Sequence, residues 1–165
     1  MGYTTDFLGE FELDKQLDPI VGNLINGLAN TRRVKRDITK LANMLNLSRQ
    51  EADLRYGIEG EYYYNKNDFQ NCGQTFDESI IDFNQPPETQ PGLWCQWIYS
   101  EENNVIEWNG GEKFYNYVEW IKYIIERILK PNGYILNGTV KWSGDESFDR
   151  GEIQIKDNKI KILEE

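Results

Sequence analysis

The sequence has no histidine. That absence removes Ser-His-Asp and Cys-His nucleophilic chemistry, imidazole acid–base catalysis and every histidine-containing metal site. Cysteine is nearly absent too: Cys72 and Cys95 are the only two. Two are too few for a disulfide framework, so a reduced, cytosolic setting is expected, and neither has the histidine partner a cysteine nucleophile needs. No apolar run approaches the ~18 residues that span a bilayer, so no membrane partner is expected. The start MGYTTDFLGEFEL carries an early acid and no basic stretch ahead of an apolar one, which is not the pattern of a signal peptide. Positive charge is the other scarcity: 18 Lys and Arg stand against 28 Asp and Glu, a net charge of −10. That balance opposes binding to duplex nucleic acid.

What is present is enough for a folded core. A chain of 165 residues can bury roughly 70% of its unfolded surface without a disulfide or metal, and it is read as one domain over 1–165. Residues 3–13 alternate in strand fashion, with Phe7, Phe11 and Leu13 on one side. Asp18-Pro19 spells a cap followed by proline at the first helical position, opening a helix over 19–29 that would bury Ile20, Leu24 and Leu28. Val34, Ile38, Leu41 and Leu45 make one apolar stripe of a second helix. Ser48-Arg49-Gln50-Glu51 has capping-box spelling.

Residues 57–93 are rich in Gly, Asn, Asp, Gln and Pro, and read as a long irregular excursion carrying short strands at 61–64 and 79–83. A hairpin over 93–99 and 104–108 follows. Phe114, Tyr117, Val118, Ile121, Ile124, Ile125 and Ile128 then fit one face of a helix over 112–130, ended by Pro131-Asn132-Gly133. Strands at 134–143, 150–156 and 159–163 finish the chain, the last two joined through Asp157-Asn158. The expected fold class is α+β, mainly an antiparallel sheet with helices packed on one face.

Charge is uneven along the chain. Residues 51–100 hold 2 basic and 9 acidic side chains, against 7 and 6 in residues 1–50. The dense basic run is Arg32-Arg33-Val34-Lys35-Arg36 with Lys40; as a helix it would set Arg32, Arg36 and Lys40 on one face, able to grip phosphates or an acidic protein. Trp108-Asn109-Gly110-Gly111-Glu112-Lys113 reads as a strand-to-helix junction whose backbone N–H groups and lysine could hold a phosphate. The simpler reading leads there, Asn109 capping the helix with Glu112 three residues on. Trp94, Trp97 and Trp108 could stack on a flat ligand, although core packing is their commoner use. Gln96, Gly110 and Gly111 would line the same small-ligand pocket. The acidic turn 144–150, with Asp145, Glu146 and Asp149, does not have the spacing of a calcium loop, and no metal or other cofactor is expected. Arg150 closes that turn and joins the candidate ligand-binding residues.

Several stretches together resemble a family of small uncharacterised bacterial and bacteriophage proteins. They are Gly2-Tyr3-Thr4-Thr5-Asp6-Phe7, Thr31 to Arg36, Gln90-Pro91-Gly92-Leu93-Trp94-Cys95-Gln96-Trp97, Glu107 to Tyr115, and Gly138…Gly144-Asp145-Glu146…Asp149-Arg150. Members commonly carry a tryptophan after the last Asp-Arg, where this chain has Gly151. The resemblance brings no catalytic residue with it. It implies a phage or mobile-element accessory protein, a group in which inhibitors of host defence are frequent, placed in the host cytosol.

The sequence therefore points to binding rather than catalysis. The leading expectation is a non-enzymatic inhibitor that takes up a nucleotide signal or blocks a defence protein. For a nucleotide, Arg32, Arg33, Arg36 and Lys113 would meet phosphate, and Trp94, Trp97 and Trp108 would stack. A defence protein would be met by the acidic segment 51–100. Self-association stays open. The alternatives are a nucleotide-processing enzyme using carboxylate and cation chemistry, and an assembly protein of a virion or host complex.

Overall fold

A computed structural model describes residues 2–65 and 76–165. The fold is α+β, built on a mainly antiparallel sheet as the periodicities imply. The chain gathers into two compact units, residues 1–26 with 96–165 and residues 27–95, each with its own packing.

The first unit is a six-stranded sheet with a helix on one face. Its strands are β1 (Thr5–Leu13), β4 (Trp97–Ser100), β5 (Val105–Trp108), β6 (Leu136–Gly144), β7 (Arg150–Lys156) and β8 (Lys159–Glu164), in the order β4-β5-β1-β6-β7-β8. Every neighbouring pair is antiparallel. Register puts Phe7 opposite Trp142, Val140 opposite Ile153, and Ile153 opposite Ile162. Alternation along each strand therefore delivers one apolar face. Gly151 stands opposite Trp142, and a Cβ there would come within 2.3 Å of the indole ring and 2.4 Å of the Leu163 carbonyl. Any side chain at this position would force Trp142 and the Leu163 backbone to shift.

Helix α4 (Tyr117–Ile124) covers the apolar face and continues as a π-helical turn over Ile125–Leu129 and a 3₁₀ turn over Lys130–Asn132. Ile121, Ile124, Ile125, Ile128 and Leu129 are all buried, the i, i+3, i+4, i+7, i+8 stripe of a helix that faces a core. Gly133 ends the run in the left-handed conformation. The expected helix start at 112 is corrected. Lys113 and Asn116 both have φ near 60°, outside helical geometry, and the helix begins only at Tyr117.

The second unit holds β2 (Lys35–Arg36), α2 (Ile38–Met44), α3 (Arg49–Tyr56) and β3 (Ile80–Asp82), with β2 and β3 paired antiparallel. Its core is Ile38, Leu41, Ala42, Ala52 and Tyr63, with Leu45, Leu47 and Tyr56 against them. Ser48 caps α3 by accepting the Glu51 amide, as the capping spelling implied. Helix α2 is shorter than its apolar stripe suggests. Asp37 caps it, accepting from the amides of Thr39 and Lys40, so Val34 to Arg36 fall outside it. The segment 61–64 is turn rather than strand. Of the excursion 57–93, residues 66–75, with Cys72, lie outside the described residues.

The boundary between the units falls within α1 (Pro19–Ala29). Its inward residues are Ile25 and Leu28, with Leu24 half-buried. Ile20 is 79% exposed: position 20 is the first turn of the helix, where one residue of rotation turns the stripe outward.

Candidate functional site

The basic run does not form a helical face. Arg32 donates from Nε to the Phe83 carbonyl at 2.8 Å, from a terminal nitrogen to Asn84 at 3.2 Å, and stacks over the Phe83 ring at 4.5 Å. Arg33 is fully buried and donates to the Tyr63 carbonyl. Arg36 is 4% exposed, donates to Asp77 at 2.7 Å and to the Ser79 hydroxyl at 2.6 Å, and lies over the Tyr63 ring at 4.8 Å. These guanidinium groups hold the second unit together. The acids of the segment 51–100 are used the same way. Asp77 pairs with Arg36, Glu59 and Glu88 with Lys35, Asp53 with Arg49 and Glu51 with Arg55. Residues 27–95 hold 8 basic and 10 acidic side chains, net −2, while the remaining residues hold 10 and 18, net −8. The acidity of 51–100 along the chain is thus largely matched inside its own unit.

The tryptophan–glycine group is brought together in part. Trp97 is fully buried among Phe7, Phe11 and Phe114, with ring centroids 5.3 to 5.5 Å apart, and its Nε1 donates to the Tyr117 carbonyl at 2.9 Å. It is core. Trp108 is half-buried, and its Nε1 donates to Gln96 Oε1 at 3.1 Å. Gln96 in turn donates to the Glu112 carbonyl at 2.8 Å, so its side chain ties Trp108 of β5 to the loop that follows. Asn109 accepts the Gly111 amide at 2.8 Å, an Asx turn rather than a helix cap. A Cβ at Gly111 would press on Gln96 and Asn109 at 3.0 Å, whereas Gly110 faces open space. Lys113 and Gly110 are exposed, but no helix N-terminus stands beside them. Trp94, in the second unit, is half-buried.

The acidic turn after β6 is a latch. Asp149 accepts from Trp142 Nε1 at 2.9 Å and from the Tyr3 hydroxyl at 2.6 Å, while Asp145 accepts the Thr4 amide at 2.8 Å. Arg150 is exposed beside it. The hydrogen bond to Asp149 raises the Tyr3 hydroxyl above its ordinary range. Tyr117, against Phe7 at 5.0 Å and Trp142 at 6.0 Å, is pushed up to about 12 by burial, reinforced by the negative charges of Asp149 and Glu119. A hydroxyl raised in the folded state favours folding while it stays protonated. Its contribution is whole below the ordinary value of 10.0 and is lost as pH climbs toward about 12. An alkaline titration followed by tyrosinate absorbance is expected to show a late step near pH 12, accompanied by loss of near-UV dichroism and absent in Tyr117→Phe.

The feature that sequence reasoning passed over lies at the opposite end of the sheet. The turn Asp157-Asn158 joins β7 to β8 with both residues at positive φ, 49° and 67°, a type I′ geometry. It is pinned to the chain entering β6. Leu136 N donates to Asn158 Oδ1 at 2.7 Å, Asn158 Nδ2 to the Tyr134 carbonyl at 2.9 Å, and Asp157 N to Asn137 Oδ1 at 2.8 Å. Two open grooves flank this hairpin. One, of about 590 Å³, has Val118, Ile135 and Ile160 as its apolar part and Lys122, Lys130 and Lys159 around them, with Glu126 and Asp157 the acids. The other, of about 560 Å³, runs over Thr139 and Gln154 between Lys156, Lys159 and Lys161. Each is within the ~300–1,000 Å³ of small-ligand pockets. Lys159 belongs to both.

Lys156 and Lys159 stand directly opposite each other, a like-charge pairing that costs roughly 0.2–1 kcal/mol. Among the described residues none of the five lysines makes a salt bridge, although the chain carries a surplus of ten acids. The available signal was the Lys-Asp-Asn-Lys-Ile-Lys spelling of 156–161, a local excess of cations in an acidic chain. Lys122 and Lys130, eight apart, read only as the solvent face of a helix.

Compared with known proteins, the chain matches no family model, no curated protein and no solved structure. No helix among the described residues is long and apolar enough to cross a membrane.

Proposed function

We propose that this chain is a non-enzymatic binding protein whose partner is anionic and is held at the lysine-rimmed end of the six-stranded sheet. One observation carries the reading: Lys122, Lys130 and Lys159 around one groove and Lys156, Lys159 and Lys161 around the other make no salt bridge among the described residues, in a chain of net charge −10. Uncompensated cations on a fixed scaffold cost folding stability and focus a local positive potential. In the setting implied by the resemblance to phage and bacterial accessory proteins, the partner is a component of bacterial defence, either a nucleotide signal or an acidic stretch of a defence protein. The protein inhibits by occupying it.

Calorimetry against a panel of cyclic and linear nucleotides and short acidic peptides tests this. At least one probe is expected to bind, with an affinity that falls steeply as salt rises. The variant Lys156→Glu/Lys159→Glu/Lys161→Glu is expected to weaken it by at least about tenfold, or ~1.4 kcal/mol. No heat with any probe, or equal affinity in the variant, would sink the reading.

A further inference from the structure

We infer that the partner is an extended acidic peptide segment that adds as a seventh strand to the edge of the sheet at β8. The inference rests on the anion-binding reading above and narrows it to one kind of partner.

Strand β8 is the last in the order β4-β5-β1-β6-β7-β8 and, among the described residues, has a neighbour on one side only. The hydrogen-bond phase of its pairing with β7 follows from the two-residue turn. Lys156 and Lys159, which flank the turn, exchange backbone hydrogen bonds, and so does every second pair after them. The Glu165 amide donating to the Arg150 carbonyl at 3.0 Å fits that phase. The N–H and C=O groups of Lys159, Lys161 and Leu163 thus point at β7, and those of Ile160, Ile162 and Glu164 point away from the sheet. An unused row of donors and acceptors of this kind is what strand addition employs.

Side chains supply the selection. Lys159 and Lys161 project to the face that carries Thr139 and Gln154. Residues two apart on an extended chain are roughly 7 Å apart, so acids alternating on an incoming strand fall beside these two lysines in register. The alternate residues of that strand fall beside Ile160 and Ile162, the latter 38% exposed. Neither groove is lined by an aromatic residue, so the stacking surface that a nucleotide base prefers is missing there. A second copy of this chain would bring the same uncompensated lysines into the joint.

The test uses the full chain and fluorescence anisotropy with a labelled peptide of alternating Glu and Val. Its controls are the same peptide N-methylated at alternate amides and a single-stranded oligonucleotide of equal charge. Tight binding of the alternating peptide is expected, with at least about a tenfold loss on N-methylation and weaker binding of the oligonucleotide. Ile162→Pro removes an outward-facing N–H that the β7 ladder does not use, so it is expected to keep its circular dichroism and lose the peptide. N-methylation of the peptide asks the same question without altering the protein. Peptide binding unaffected by both Ile162→Pro and N-methylation, with the oligonucleotide bound as well, overturns strand addition and leaves anion binding standing. A concentration-dependent dimer abolished by Ile162→Pro also overturns the acidic-peptide assignment. If no anionic probe binds, the broader reading falls with it.

Discussion

Trp97→Ala is expected to lower the unfolding free energy by about 3–5 kcal/mol, the range for emptying a large aromatic site. The indole is fully buried and is contacted edge-on by Phe7 and Phe114 and obliquely by Phe11. Its Nε1 also donates to the Tyr117 carbonyl, tying β4 to the first turn of α4. Removing it leaves a cavity that the Phe7 and Phe11 rings of β1 and the Phe114 ring cannot collapse to fill. Trp108→Ala should cost clearly less, because Trp108 is half-buried and keeps one ring neighbour, Phe7 at 5.3 Å. Urea denaturation checks both. The midpoint should fall at an unchanged slope, and the two variants should rank in that order. Near-equal losses would mean that Trp97 is not the centre of this core.

The strand phases of β1 and β7 were readable because their buried residues share one face. Phe7, Phe11 and Leu13 alternate with exposed Asp6, Leu8 and Glu12, and the register with β6 follows. The type I′ turn was readable from Asp157-Asn158 for the same local reason: these residues tolerate positive φ. The second unit was harder. Val34 and Ile38 keep helical spacing, yet tertiary pairing of β2 with β3 and the cap at Asp37 override it. Nothing local says that Arg33 and Arg36 turn inward, because their partners are 30 and 41 residues away.

The candidate site was hidden by the same distance problem. Lys122 and Lys130 belong to a helix and its end, and Lys156, Lys159 and Lys161 to a hairpin more than twenty residues later. Each looks like an ordinary solvated cation alone. Only the folded arrangement brings them around the same hairpin, where none makes a salt bridge among the described residues. The basic run 32–36 is conspicuous in the sequence because it is contiguous. Contiguity on a strand and turn inside a small unit serves packing: Arg36 covers a ring and satisfies Asp77.

Arg36→Met is therefore expected to destabilise the second unit strongly, by about 3–5 kcal/mol at neutral pH, the range for stripping one partner from a buried ion pair. The guanidinium is replaced by a side chain that still fills space over Tyr63, so the loss reports charge rather than volume. The pH dependence follows from Asp77. Burial raises its carboxyl, but the hydrogen bonds from Ser79 and Arg36 and the Arg36 charge outweigh it and hold the group below its ordinary 3.8. A depressed carboxyl stabilises the fold above its unfolded value and loses that contribution as pH falls through the folded one. The wild-type contribution is thus whole at pH 7 and fades below pH 3.8. In Arg36→Met the burial effect on Asp77 lacks the opposing cation, so its carboxyl rises and protonation relieves the unpaired charge. The stability gap between the two proteins should be widest at neutral pH and narrow as the solution is acidified toward and below that value. Thermal melts followed by circular dichroism over an acid series measure it, with hydrogen exchange at the amides of Asp37 and Ile80, beside the lost pair, assigning the change to this unit. A gap that stays constant with pH would show that Arg36 acts through packing on Tyr63 and not through Asp77. Asp77→Asn in the Arg36→Met background should then recover part of the loss only if the unpaired carboxylate is its cause.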